Sequence, residues 1–285
     1  MDSIEIKQRN IILNKKDILE KLDYEEEDII FLGGSLIEGS INKLSNGMGN
    51  KLSDIDVFIL SNDIKKIQKS KLDYDKEYLK TQFKRLCSIS LDIEIYSKQV
   101  ILDLIEQLNN CDFNTNIRTF NLLNLPVGFD LNSFTSFIHR FLNGIPVYNE
   151  EVFYQISNFL KRDNYFKLMV RLAVNNVDVF YEDAIGNIQN HQYEVALVVA
   201  RNILLETMKA YIFNKKTSLD RDKWIPLKLK NLGLYDEEVE TQYKTFAKLY
   251  YEEKLDERNN IRLNVEKIIN FSNEIIQKIG QDGGI

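Results

Sequence analysis

Two short apolar runs, and the residues at which they meet polar chemistry, constrain this chain more than anything else in it. Phe31-Leu32 runs into Gly33-Gly34-Ser35, and Leu52-Ser53-Asp54-Ile55-Asp56-Val57-Phe58-Ile59-Leu60 opens a second apolar run with aspartates at i and i+2. Side chains alternate across a strand, so Asp54 and Asp56 share one face, roughly 7 Å apart along the backbone. A third run, Ile89 to Tyr96, alternates strictly. Leu91, Ile93 and Ile95 fall on one face, and Asp92, Glu94 and Tyr96 on the other. Beside the Asp54–Asp56 strand, such a strand brings Asp92 or Glu94 to the same place.

These residue types suit one kind of chemistry. Carboxylates gathered on one face can hold a pair of divalent metal ions about 4 Å apart. A Gly-Gly-Ser turn offers backbone N–H groups to a phosphate, because glycine allows close approach and positive φ. A phosphate cradle facing paired carboxylates is what phosphoryl or nucleotidyl transfer requires. Asp-x-Asp alone is more often a surface strand with incidental acids. The three elements in this order point past that reading.

The order resembles the nucleotidyltransferase superfamily named after DNA polymerase β. The resemblance covers residues 28–96 and is nearest in style to the antibiotic and minimal nucleotidyltransferases, in which a helical domain follows the catalytic one. It implies that Gly33, Gly34 and Ser35 bind the triphosphate. It implies that Asp54 and Asp56 ligate two Mg²⁺ ions, with Asp92 or Glu94 as the third carboxylate; Leu91-Asp92-Ile93 has the family's apolar-acid-apolar form nearer the strand start. Ser35-Leu36-Ile37-Glu38-Gly39 fits the family's Gly-Ser-x-x-x-Gly spacing, but the run from Ser40 to Leu52 is 13 residues and so carries an insertion. Its centre, Ser45 to Asn50, reads as a turn or mobile loop.

The 285 residues are 44% hydrophobic and 28% charged, enough for a sizeable core in one large domain or two small ones. A net charge of −6 argues against long nucleic acid as partner, since gripping phosphates takes a basic surface. Cys87 and Cys111 make no zinc or redox spacing, and there is neither a signal-peptide pattern nor an apolar run of membrane-spanning length. A cytoplasmic protein without membrane contact is the expectation. The oligomeric state is left open, a homodimer included.

Along the chain, helices are expected over 3–22, from Ser35, over 75–87 and over 99–108, with strands over 28–32, 54–60 and 89–96. From residue 126 onward the pattern is helical: 131–142 (stopped by Gly144 and Pro146), 150–161, 165–181, 188–213, 225–232, 236–254 and 259–279. The fold class is therefore α+β, a nucleotidyltransferase-type α/β domain over 1–125 with a small mixed sheet, followed by an all-helical substrate-binding bundle over 126–285.

In the helical half, Glu194 and Arg201 sit two turns apart on the most apolar helix, where Val195, Val198, Val199, Ile203, Leu204, Met208 and Ile212 cover much of the circumference. A buried charge is costly without a partner, so the two either pair structurally or open onto a cleft. In the functional reading Glu194 is the general base for the acceptor hydroxyl, a role the antibiotic nucleotidyltransferases resemble. Arg201 and Lys223 are candidates for neutralising triphosphate charge. Trp224 suits packing or ring stacking. His139-Arg140 reads as a solvated face, and His191 as a helix-start residue near solvent.

The leading expectation is an enzyme moving a nucleoside monophosphate from an NTP, by family resemblance ATP, to a hydroxyl of a small molecule, with antibiotic resistance as one setting. Two alternatives stand beside it. One is a signalling-oligonucleotide synthase or a protein- or tRNA-modifying enzyme of a conflict system. The other is a nucleotide-binding protein without catalysis.

Overall fold

The computed structural model describes residues 3–68, 71–86, 88–114, 118–252 and 258–283. The chain divides into two compact units. The first comprises residues 1–111 and 120–161, the second residues 112–119 and 162–285. The class is α+β: a small mixed sheet with helices, and a helical C-terminal region.

In the first unit, Ser3–Ile6 (β1) and Ile11–Asn14 (β2) form an antiparallel hairpin where a helix was expected. The alternation Ser3-Ile4-Glu5-Ile6 buries both isoleucines, and Asn10 turns the chain in a left-handed conformation that Asn tolerates. The apolar spacing that suggested a helix is satisfied instead by the packing of Ile4, Ile6, Leu13 and Ile18, the last from the short helix Lys15–Leu19 (α1), in one core cluster.

Next come Ile29–Gly33 (β3), Gly34–Ile41 (α2), Ile55–Ser61 (β4), Tyr74–Asp75 (β5), Leu79–Leu86 (β6), Ile89–Ser97 (β7) and Lys98–Asn109 (α3). Leu131–Leu142 (α4), Ile145–Tyr148 (β8) and Glu150–Phe159 (α5) complete the unit. The sheet order is β5-β6-β7-β4-β3-β8, with only β4 and β7 parallel. The helix expected over 75–87 is thus strand β6. Its Leu79, Phe83 and Leu86 mimic a helical stripe, but pairing with β7 along its whole length overrides that local signal. Cys87 lies outside the described residues. β8 is an edge strand, which is where a sheet tolerates Pro146.

One face of the sheet is aliphatic. Ile30, Leu32, Ile55, Val57, Ile59, Leu91, Ile93 and Ile95 are buried there with Leu36 and Ile37 of α2. The other face is aromatic at one end: Phe31 and Phe58 stack at 4.9 Å, and Phe137 and Phe141 of α4 and Phe153 of α5 close over them. Residues 131–161 therefore cover the sheet rather than joining the helical bundle, as the 125/126 division had them do.

His139 and Arg140 are buried, not solvated. The ring contacts of α4 turn its opposite face toward α2, where His139 Nε2 meets Glu38 Oε2 at 3.1 Å and Ser45 donates to Glu38 Oε1 at 2.7 Å. Asn42 donates to Asn143, and Asn143 to the His139 carbonyl. A buried carboxylate deprived of one of its partners is strongly destabilising. His139→Ala is expected to cost about 3 kcal/mol of unfolding free energy in denaturant titrations; a cost below about 1 kcal/mol contradicts the assignment.

The second unit is helical: Arg162–Gln189 (α6), Tyr193–Asn214 (α7), Ile225–Gly233 (α8), Glu237–Ala247 (α9) with a π-helical turn at Lys248–Glu252, and Arg258–Gln281 (α10). A short turn through His191, at φ 58°, joins α6 to α7, and α7 packs against both α6 and α10. Ala200, Ile203, Leu204, Met208 and Ile212 of α7 are buried, but Val195 and Val198 are exposed. The first turns of α7 are thus covered on one side only, at Ala196 and Leu197. Among the described residues, no helix is long and apolar enough to cross a membrane.

Candidate active site

The sheet register builds the site. Gly33 lies opposite Asp56, and Asp56 opposite Asp92. Residues opposite one another in a ladder share a face, and neighbouring strands run about 4.8 Å apart. Asp56 and Asp92 therefore stand side by side, both half-buried, on the face whose Gly33 end lies against Arg140 of α4. Asp54 precedes β4 by one residue.

β3 ends in the turn expected from Gly33-Gly34-Ser35, and Gly34 opens α2 with φ 80°. A Cβ there would lie 1.5 Å from Asp56 Oδ2. Glycine is thus required twice, for the backbone angle and because the Asp56 carboxylate rests on the turn. α2 begins at this turn, and a helix N-terminus is a favourable place for an anion.

The 40–52 insertion is tied down rather than loose. Gln8 Nε2 donates to the Met48 carbonyl at 2.8 Å, Met48 is buried, and Arg9 Nη2 donates to the Ser53 carbonyl at 2.7 Å. The N-terminal hairpin segment thereby fixes the residue immediately before Asp54. Nothing in the Gly-Gly-Ser and Asp-x-Asp spacing signals Gln8 or Arg9.

Asp92 and Glu94 share a strand face but not a setting. Burial, then the charges of Asp54 and Glu94, raise the Asp92 carboxyl above its ordinary value. Glu94 lies opposite Phe58, and its Oε2 accepts from the Tyr96 hydroxyl at 2.6 Å. Burial, then Glu94, push the Tyr96 phenol well above its usual value.

The raised Asp92 value has a sign that can be tested. Without metal, the native state keeps the Asp92 proton to higher pH than the unfolded chain, whose value is near 3.8. Asp92 therefore favours the native state most below that value, and the contribution falls as pH rises through the native one. Asp92→Asn is expected to remove this fall, gaining stability over the parent as pH rises. Denaturant unfolding in metal-free buffer between about pH 3 and 7 reads it, and parallel curves for the two proteins contradict it.

The remaining candidates belong to the second unit. Glu194 is exposed in the first turn of α7, so no burial cost singles it out. Arg201 is half-buried, its guanidinium 5.8 Å from the Tyr250 ring centroid, and its Nε finds no hydrogen-bond partner among the described residues. Lys223 is exposed, with Nζ 5.0 Å from the ring centroid of Trp224. Among the described residues, no three His, Cys, Asp or Glu side chains stand in an arrangement that could hold a metal ion. The Asp56 carboxylate is engaged against the Gly34 turn instead.

No protein-family model matches the chain, and no curated protein matches it. Among solved structures it is similar to a nucleotidyltransferase-like protein from Exiguobacterium sibiricum 255-15, at 13% identity and a TM-score of 0.48, over 92% of this chain and 72% of that one. Similarity at this level transfers neither activity nor substrate, and the functional reading rests on the site's own residues.

Proposed function

We propose that this chain is a metal-dependent nucleotidyltransferase that moves a nucleoside monophosphate, with ATP as the donor, to a hydroxyl of a small molecule and releases pyrophosphate. The observation that carries the reading is the row Gly33–Asp56–Asp92 on one sheet face, with Asp54 just before it and the Gly34-Ser35 helix start at its end.

The donor set fits Mg²⁺ in kind, being hard carboxylate oxygens on neighbouring strands. Asp54, Asp56 and Asp92 would hold the ions. We assign Asp92 rather than Glu94 as the third carboxylate, because Asp92 stands beside Asp56 and feels the Asp54 charge, whereas Glu94 is engaged by Tyr96. The Asp56 carboxylate has to swing off the Gly34 turn for the set to close. When bound, Mg²⁺ neutralises triphosphate charge and acidifies the acceptor hydroxyl.

The chain's own groups then position the reaction. Ser35 and the N–H groups at the start of α2 orient the terminal phosphates. The acceptor oxygen bonds to the α-phosphorus as the bond to the β-phosphate oxygen breaks. Pyrophosphate leaves, and the hydroxyl proton passes to a base. Magnesium titration with thermal unfolding tests the metal assignment apart from turnover. The parent should gain stability with added Mg²⁺ and Asp92→Asn should not; equal gains contradict it.

A further inference from the structure

The row of opposed residues does not stop at Asp92. Phe83 of β6 lies opposite Asp92, on the same face and one strand further from Gly33. Tyr74 of β5 lies opposite Thr81, two residues along β6 from Phe83, so it shares that face as well. Elsewhere this face is covered by the rings of α4 and α5, yet Phe83 is 52% exposed and Tyr74 62% exposed. Their ring centroids are 6.1 Å apart and the planes 87° to one another, an open corner made of two rings. The corner is braced from beneath: Asp73 Oδ2 accepts the Phe83 N–H at 2.7 Å, and Lys80 pairs with Asp75.

Its place in the row matters. An in-line displacement puts the attacking oxygen opposite the leaving pyrophosphate. With the far phosphates at the Gly34-Ser35 end and the transferred phosphorus over the carboxylates, the acceptor arrives from the β6 end, over Phe83. A planar ring lying on one wall of a right-angled aromatic corner meets the other wall edge-on, the two favoured aromatic contacts. We propose that Phe83 and Tyr74 form the acceptor platform, and that the acceptor carries a planar unsaturated ring close to its reactive hydroxyl. The proposal rests on the nucleotidyltransferase reading for its orientation but is tested without turnover.

The probes are 4-nitrophenyl β-glucoside and methyl β-glucoside, which share a hydroxyl-bearing sugar and differ in the planar ring. Binding is followed by ligand-observed NMR without nucleotide. The parent protein should prefer the aryl glucoside about tenfold, the size of a good ring stack. Phe83→Ala and Tyr74→Ala should each reduce that preference, and Phe83→Tyr should keep it. Both rings are largely in solvent, so these variants should fold as the parent does, with unchanged thermal unfolding. Asp56→Asn should keep the preference too. If the parent and Asp56→Asn release pyrophosphate equally while both keep the preference, the transferase reading fails and the ring site stands. Equal affinity for the two glucosides, no binding of either, or a preference that survives Phe83→Ala overturns the proposal.

Discussion

Asp56→Asn is expected to abolish nucleotidyl transfer, by at least about 1,000-fold, or some 4 kcal/mol of barrier. The size follows from where Asp56 stands. It is the middle of the row, beside Gly33 on one strand and Asp92 on the next. The next residue on its face of β4 is Phe58, which packs against Phe137 of α4, so the strand supplies no further carboxylate beyond Asp56. Asparagine keeps the shape and removes the charge, so the fold should survive. Pyrophosphate release by purified protein measures the activity, and circular dichroism checks the fold. Retained activity in a folded Asp56→Asn protein contradicts the mechanism.

The second large effect is expected at Gly34. Alanine there meets Asp56 Oδ2 at 1.5 Å and Cγ at 2.6 Å, at a backbone φ of 80°. The carboxylate and the turn cannot both keep their places. Gly34→Ala should lose at least about 100-fold in activity, the scale of a displacement of about 1 Å at a reacting centre. It should also lose about 2–3 kcal/mol of stability from strain and overpacking. Gly128 supplies the control, because its φ is 85° and nothing lies within 4 Å of an added Cβ. Gly128→Ala should cost only about 1 kcal/mol and leave activity intact. Equal effects at the two glycines would mean that strain alone, not the Asp56 contact, sets the requirement.

The geometry of the candidate site was legible where its logic is local. Strand alternation put Asp92 and Glu94 on one face of β7, and Gly33-Gly34-Ser35 marked the end of β3. What stayed hidden depends on partners distant in sequence. β6 turns Lys80 and Gln82 to its buried side and Phe83 to solvent, the reverse of what a hydrophobic stripe suggests. Only its pairing with β7 explains this, and with it the position of Phe83 beside Asp92. His139 is polar and sits in a helix with a strong apolar stripe, so a solvated face was the natural inference; its burial requires Glu38, about a hundred residues away in the sequence. The register of β4 against β7 separates Asp92 from Glu94, a distinction that two equally apolar-flanked acids could not supply. In the second unit, the exposure of Glu194 removes the burial argument that drew attention to it.

The most direct test of the account is pyrophosphate release from each of the four NTPs with Mg²⁺, with and without a filtered small-molecule extract, against Asp56→Asn. The account predicts release that requires the extract and disappears in Asp56→Asn, with the labelled product identifying the acceptor. Release that is the same in the parent and in Asp56→Asn, or no release from any NTP under either condition, would contradict it.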